Sequence, residues 1–159
     1  MAIDKVKEYL KKWDRDGDIL EFDTSSATVD MAADTLGVKP SRIAKTLSFK
    51  TDESAMLIVA AGDAKVDNGK YKAEFGKKAK MLTAEEALEF TGHAIGGVCP
   101  FGLAKEIPVY LDLSLKRFDY IYPACGSSNS AIKLSCEELE MYSGYEKWID
   151  VCKDWQEEL

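Results

Sequence analysis

Apolar residues return along this chain in short runs whose period changes several times. Ile3, Val6, Leu10 and Trp13 fall three or four apart, so residues 2–15 read as an amphipathic helix ended by Gly17. Ile19 to Phe22 is a short candidate strand. Thr28 is a candidate N-cap for a helix running to Leu36, with Gly37 just past its end, and Pro40 opens another short helix. Thr46–Phe49 and Met56–Ala60 read as strands joined by the turn-like Thr51-Asp52-Glu53-Ser54. Asp67–Phe75 is a weaker helix pattern closed by Gly76. Thr83 with Glu86, and Ser135 with Glu138, have capping-box spacing, the first opening a helix that ends at Gly92. Ile107–Leu111, Tyr120–Tyr122 and Ala131–Leu134 are strand-like. Trp148, Val151, Cys152, Trp155 and Leu159 form an apolar stripe that predicts an extra C-terminal helix at about residues 145–159. Helices and strands are mixed in order, some joined by short turns. The expected architecture is α+β, a single domain over residues 1–159 with a mixed, mainly antiparallel sheet and surrounding helices.

Composition narrows the class. A chain of 159 residues is one domain's worth, and 46% hydrophobic with 31% charged residues is ordinary globular usage. The longest apolar run, Ala55–Ala61, is far shorter than the ~20 residues of a membrane helix. The N-terminus lacks an apolar signal-like region, so a cytoplasmic protein without a membrane partner is expected. The net charge of −7 argues against a DNA-coating protein. Yet residues 39–80 carry ten basic and five acidic groups, a local excess able to meet a phosphate chain or simply a solvated lysine-rich surface.

The four cysteines, Cys99, Cys125, Cys136 and Cys152, include no C-x-x-C pair, and His93 is the single histidine. Neither a metal site nor a structural disulfide is expected, a serine-hydrolase triad has poor support, and no cofactor is implied.

Three segments carry candidate chemistry. Lys45 lies where a short helix gives way to a strand, and alternation would put it on one face with Leu47 and Phe49. Such a lysine is either an edge residue with a wet head group or a site cation. Gly96-Gly97-Val98-Cys99-Pro100-Phe101-Gly102 reads as a structured loop. Its amides can converge on an anion or oxyanion, or it is a turn with a packed Phe101. Gly126-Ser127-Ser128-Asn129 is a second loop of the same kind, with a plain hairpin turn as the simpler reading. A surface or capping place is expected for His93, core places for Trp148 and Trp155, and a solvated strand entrance for Lys77-Lys78-Ala79-Lys80.

Taken together, Thr28 to Val38, Ile43-Ala-Lys45-Thr-Leu47, Gly96 to Leu103 and Pro108-Val-Tyr-Leu-Asp112 resemble the YbaK/prolyl-tRNA editing-domain family over roughly residues 20 to 143. Several blocks agree in order and spacing, which is far more specific than any single motif. The resemblance implies a single α+β domain around a mixed, barrel-like sheet. It also implies an aminoacyl-tRNA deacylase, a carboxylic ester hydrolase that edits misacylated tRNA in trans. The family's essential lysine corresponds to Lys45, its proline-containing glycine loop to Gly97 through Gly102, and its second glycine loop to the Gly126 region. The chain departs from the family at Cys99, where many members carry Ser. Ala124 and Ala131 stand where cysteine-clearing members carry Ser and Asp, and these departures bear on which amino acid is removed.

An aminoacyl ester is already activated, so binding, positioning and oxyanion stabilisation suffice for catalysis. On that basis the catalytic candidates are Lys45 as the cation, with Gly97 and Cys99 as loop residues offering backbone amides. The substrate-binding candidates are Thr46, Pro100, Phe101, Gly126, Ser127 and Ser128, with an apolar wall of Val29, Leu47 and Phe49 sizing the side chain. The expected partners are the acceptor end of a misacylated tRNA, tRNA(Pro) carrying a small wrong amino acid such as Cys or Ala, and prolyl-tRNA synthetase. Two other readings stand beside this one: a non-catalytic tRNA- or synthetase-binding module of the same fold, and a hydrolase with Cys99 as nucleophile and His93 as base.

Overall fold

The computed structural model describes residues 2–24, 28–94 and 96–155. Helix α1 spans Ala2–Leu10 and buries Ile3, Val6 and Leu10, the stripe expected from their spacing. It tightens into a 3-10 turn at Lys11–Trp13 and stops at Asp14, which takes the left-handed conformation (φ 59°). Gly17, expected as the stop, instead sits inside a second 3-10 turn, Asp16–Asp18. After β1 (Leu20–Glu21), α2 runs Val29–Leu36 from the Thr28 cap, whose hydroxyl accepts from Met31 N–H, to Gly37 at φ 71°. A 3-10 turn at Pro40–Arg42 leads into β2 (Ile43–Lys50), the hairpin partner of β3 (Ala55–Ala61).

The chain continues through β4 (Lys65–Val66), α3 (Asn68–Phe75, capped by Asp67) and α4 (Ala84–Thr91). Both bonds of the Thr83–Glu86 capping box form, and Gly92 ends α4 in the left-handed region. Strand β5 (Val109–Asp112) runs into a 3-10 turn at Leu113–Arg117, followed by β6 (Tyr122–Pro123) and β7 (Ser130–Ala131). Helix α5 (Cys136–Ser143) opens on the Ser135–Glu138 capping box, and β8 (Lys147–Ile149) and β9 (Cys152–Lys153) follow.

The main sheet has the order β6-β2-β3-β5-β8, with β1–β7 and β4–β9 as small antiparallel pairs. β3 is buried along its whole length and forms the spine of the core, with Leu57, Ile58 and Val59 fully enclosed. The single α+β domain with a mixed sheet is as expected, and its longest pairing is the antiparallel β2–β3 ladder, but the main sheet holds more parallel neighbours than hairpin turns alone suggest. In the main sheet β2–β3 is antiparallel, whereas β2–β6, β3–β5 and β5–β8 are parallel, and the order is open. The sequence shows hairpin turns directly. It does not show that long connections return strands beside earlier ones in parallel, as crossovers through helices do.

The C-terminal helix is corrected. Of the predicted span, Lys147–Ile149 pairs parallel with Tyr110–Asp112, and Cys152–Lys153 pairs antiparallel with Lys65–Val66. Residues 156–159, with Leu159 of the predicted stripe, lie outside the described residues. The open edge of β5 offers backbone partners that an isolated helix cannot use. Buried Asp112 fixes the connection by accepting from Val151 N–H at 3.0 Å. Tertiary pairing overrides the helical spacing here.

Candidate functional site

A cavity of about 300 Å³ opens between α2, strand β2 and the two glycine loops. Val29, Ala32, Leu36, Leu47, Met81, Leu82, Tyr122, Ala124 and Ala131 supply most of its apolar surface, and Lys45, Thr28, Thr46, Ser48, Ser128 and Ser130 its polar groups. The capped start of α2 puts Thr28 and Val29 at the wall. β2 brings Lys45, Thr46 and Leu47 to it in succession.

Lys45 is half-buried, and its ammonium donates to the carbonyls of Gly62 and Ala64. Burial lowers its pKa below the ordinary lysine value. The neighbouring Cys152, Asp63 and Asp112 oppose that shift, while Lys65 reinforces it. Thr46 presents a different feature: its Oγ1, in the cavity wall, is buried without a hydrogen-bond partner among the described residues.

The glycine loops divide their residues between the cavity and the core. Gly96, Val98 and Ser128 line the cavity. Gly97, Cys99, Pro100, Phe101, Gly126 and Ser127 are not among the residues that line the cavity. Gly97 is where the loops touch: a Cβ there would lie 2.6 Å from Ser127 N. Gly126 N–H also donates to the Gly97 carbonyl at 3.1 Å. Gly102 and Gly126, both with positive φ, let their loops press against the backbone of α1 at Lys5 and Ala2. Phe101 is fully buried beside Tyr9, with ring centroids 6.4 Å apart. Ser127 Oγ donates to Ser130 Oγ at 2.7 Å. Phe49 lies outside the cavity wall, packed on Tyr71 at 5.2 Å between centroids.

His93 is fully buried rather than a surface or capping residue. Its Nε2 lies 2.8 Å from the Phe101 carbonyl, which can only accept, so Nε2 carries the proton and ties the proline-containing loop to the end of α4. Cys99 Sγ lies 3.5 Å from the same nitrogen, so the two residues do meet. They do not form a nucleophile and base, because a protonated Nε2 cannot accept the thiol proton. Cys99 is fully enclosed, and burial pushes its thiol up to about 12. Low-pKa, accessible thiols are the reactive ones.

Sequence reasoning missed Phe22, Ala32, Leu36, Met81, Leu82 and Tyr122 as wall residues. Only Ala32 and Leu36 had a signal, the apolar face of α2 visible as Val29, Ala32 and Leu36 at spacings of three and four. Among the described residues no group of three or more His, Cys, Asp and Glu side chains comes together in a metal-holding arrangement, and no helix is long and apolar enough to cross a membrane.

A family model for the aminoacyl-tRNA editing domain matches residues 23–142. The chain is 57% identical to the uncharacterized protein YwhH of Bacillus subtilis (strain 168), over 98% of this chain and 100% of YwhH. It is 28% identical to EbsC of Enterococcus faecalis, described as a candidate Cys-tRNA(Pro)/Cys-tRNA(Cys) deacylase, over 84% of this chain and 77% of that protein. Proline--tRNA ligase of Kosmotoga olearia is 31% identical over 72% of this chain, which spans 21% of that larger enzyme. Among solved structures, a candidate trans-editing enzyme for prolyl-tRNA synthetase superposes with a TM-score of 0.87 at 28% identity, over 96% of this chain and 97% of that one. The matched segment contains the lysine strand, both glycine loops and every wall residue of the cavity except Phe22, and on this agreement of sequence and fold the chain belongs to the aminoacyl-tRNA editing domain family.

Proposed function

We propose that this protein is an aminoacyl-tRNA deacylase that acts in trans, hydrolysing the ester of a tRNA(Pro) charged with a small wrong amino acid such as cysteine or alanine. The observation that carries the reading is the joining of one half-buried ammonium to a small, mainly apolar cavity within an editing-domain fold. A cavity of about 300 Å³ is at the small end of ligand sites, which suits an aminoacyl group and excludes bulky side chains. Lys45 supplies positive charge toward a phosphate or the ester oxygen of the acceptor end. Thr46 Oγ1 supplies a hydroxyl whose hydrogen bonding a ligand would complete. The walls from Val29, Leu47 and Ala131 size the side chain. The glycine loops act by bringing Gly96, Val98 and Ser128 to the cavity, with Gly97 and Gly126 holding the loops together. Hydrolysis of an activated ester needs positioning of water, or of a substrate group, more than a strong protein nucleophile.

Prolyl-tRNA synthetase is the proposed partner, because the chain resembles a segment of such enzymes. A non-catalytic binding module remains the second reading. It is favoured by the methyl groups that Ala124 and Ala131 put into the cavity and by the carbonyl partners that already hold the Lys45 ammonium. Release of amino acid from a panel containing Ala-, Ser- and Cys-tRNA(Pro) separates the two. The deacylase reading expects one member to be cleared well above its spontaneous rate. Binding of the panel without accelerated release of any member would establish the module instead.

A further inference from the structure

The position of Lys45 is set from outside the cavity. The two carbonyls that receive its ammonium, Gly62 and Ala64, flank Asp63 in the turn between β3 and β4. Asp63 takes a two-pronged grip from a single guanidinium, with Arg117 Nη1 donating to Oδ2 at 3.0 Å and Nη2 to Oδ1 at 2.6 Å. The Arg117 side chain is only 5% exposed, and its remaining bonds go to the carbonyls of Ser114 at 2.9 Å and Trp155 at 2.6 Å. The rings of Phe118 and Trp155 stack against it at 4.7 and 5.1 Å.

Every other side of the turn is also fixed. Ala61 N–H, just before it, donates to Ser114 Oγ at 3.1 Å. Lys65 and Val66, just after it, pair with Lys153 and Cys152. Gly62 is pressed so closely on the Pro40 carbonyl that a Cβ would lie 2.1 Å from that oxygen. Neither Asp63 nor Arg117 lines the cavity.

We infer that Asp63 and Arg117 are positioning residues for Lys45: their forked ion pair, anchored on the Trp155 carbonyl, holds the turn whose carbonyls fix where the ammonium stands. The inference rests on the proposed role of Lys45 in deacylation. It assigns a task to the C-terminal strands, which lie beyond the residue-142 end of the family match. A planar, bidentate guanidinium suits it, because a fork constrains orientation as well as distance and a lysine in its place would not. The charged and titratable groups around Lys45 come from four places: Asp63 in the turn, Lys65 in β4, Asp112 in β5 and Cys152 in β9.

The test uses the full chain with Asp63→Asn, Arg117→Lys, Arg117→Met and Lys45→Ala. Two readouts are taken. The first is competitive acetylation of lysines by acetic anhydride across pH, with Lys45 compared with exposed Lys78 by peptide mass spectrometry. The second is kcat and KM on Cys- and Ala-tRNA(Pro). In Asp63→Asn the half-reaction pH of Lys45 moves down, since a carboxylate that favours the ammonium is gone. In both Arg117 variants Lys45 is acetylated faster than in the parent. Deacylation falls by about 10- to 100-fold, mainly in kcat, the size expected of a misplacement of about 1 Å. Arg117→Lys restores the fold without restoring kcat, which a merely structural ion pair would not do. If Arg117→Met fails to fold, Asp63→Asn and Arg117→Lys carry the decision. Parental labelling of Lys45 in folded Asp63→Asn and Arg117→Lys overturns the positioning inference. Full activity in Lys45→Ala overturns instead the reading of Lys45 on which the catalytic part depends.

Discussion

Lys45 holds its charge at a cost, because burial outweighs the nearby acidic groups and lowers its pKa. Between that lowered value and the ordinary 10.5, the unfolded chain binds more protons than the folded one, so the contribution of Lys45 to stability rises with pH. Its proposed contribution to catalysis runs the other way, because the ammonium is lost as pH rises. Lys45→Ala is therefore expected to abolish deacylation while leaving the melting temperature near the parent's, and equal activity with equal melting would sink the assignment. Thr46 shows a similar opposition. A buried hydroxyl without a partner forgoes about 1–3 kcal/mol, so Thr46→Val is expected to melt higher by urea or heat yet show a raised KM. A lower melting point with unchanged KM would mean the hydroxyl serves the fold. Cys99 tests a negative. With its thiol enclosed and pushed up to about 12, Cys99→Ser should keep activity within about tenfold, a barrier change of ~1.4 kcal/mol. A thousandfold loss with a trapped acyl-enzyme in the mass spectrum would restore the nucleophile.

The glycine loops were legible in sequence as a pair, but their division of labour was not. Spacing alone marks all of Gly96–Gly102 as one feature, whereas the fold turns Gly96 and Val98 toward the cavity and Cys99 and Phe101 toward α1 and His93. Gly97 is required for the contact between loops rather than for contact with a ligand. A methyl there meets Gly126 and Ser127 backbone at under 3 Å, and overpacking of this kind costs roughly 1–3 kcal/mol. Gly97→Ala should lower both stability and kcat/KM, and a fully active variant with parental melting would show that the loops can part. The helices were easier. Thr28, Thr83 and Ser135 each satisfy an orphan N–H with their own side chain, a local event readable from local sequence. The stripe from Trp148 to Trp155 was misread because burial against a sheet edge and burial of a helix face ask for similar apolar residues over so short a span.

At the scale of the whole molecule, the charge distribution constrains the proposed tRNA contact. The protein is acidic overall, and its basic groups are concentrated in residues 39–80, the segment that also contains β2. Several of these cations are already engaged: Arg42 donates to Asp119 and to the Tyr120 carbonyl, and Lys77 pairs with Asp52. Few phosphate contacts are therefore expected, and KM should rise with salt along a shallow slope. Lys80, exposed and next to wall residue Met81, is the better probe. Lys80→Glu should raise KM at low salt more than Arg42→Glu, whose guanidinium is tied to its own surface. Unchanged KM in both would place the tRNA contact on another face.

What the sequence by itself determined is local or collinear: the caps, the β2–β3 hairpin and the ordered blocks of an editing domain. Each depends on residues a few positions apart, or on their order along the chain. Only the tertiary structure decided the parallel pairings of β5, β6 and β8, the burial of His93 and Cys99 behind the cavity, and the grip of Arg117 on Asp63, 54 residues away. Those features join segments whose meeting leaves no local trace, because an apolar or charged residue has the same character in sequence whichever distant neighbour finally covers it.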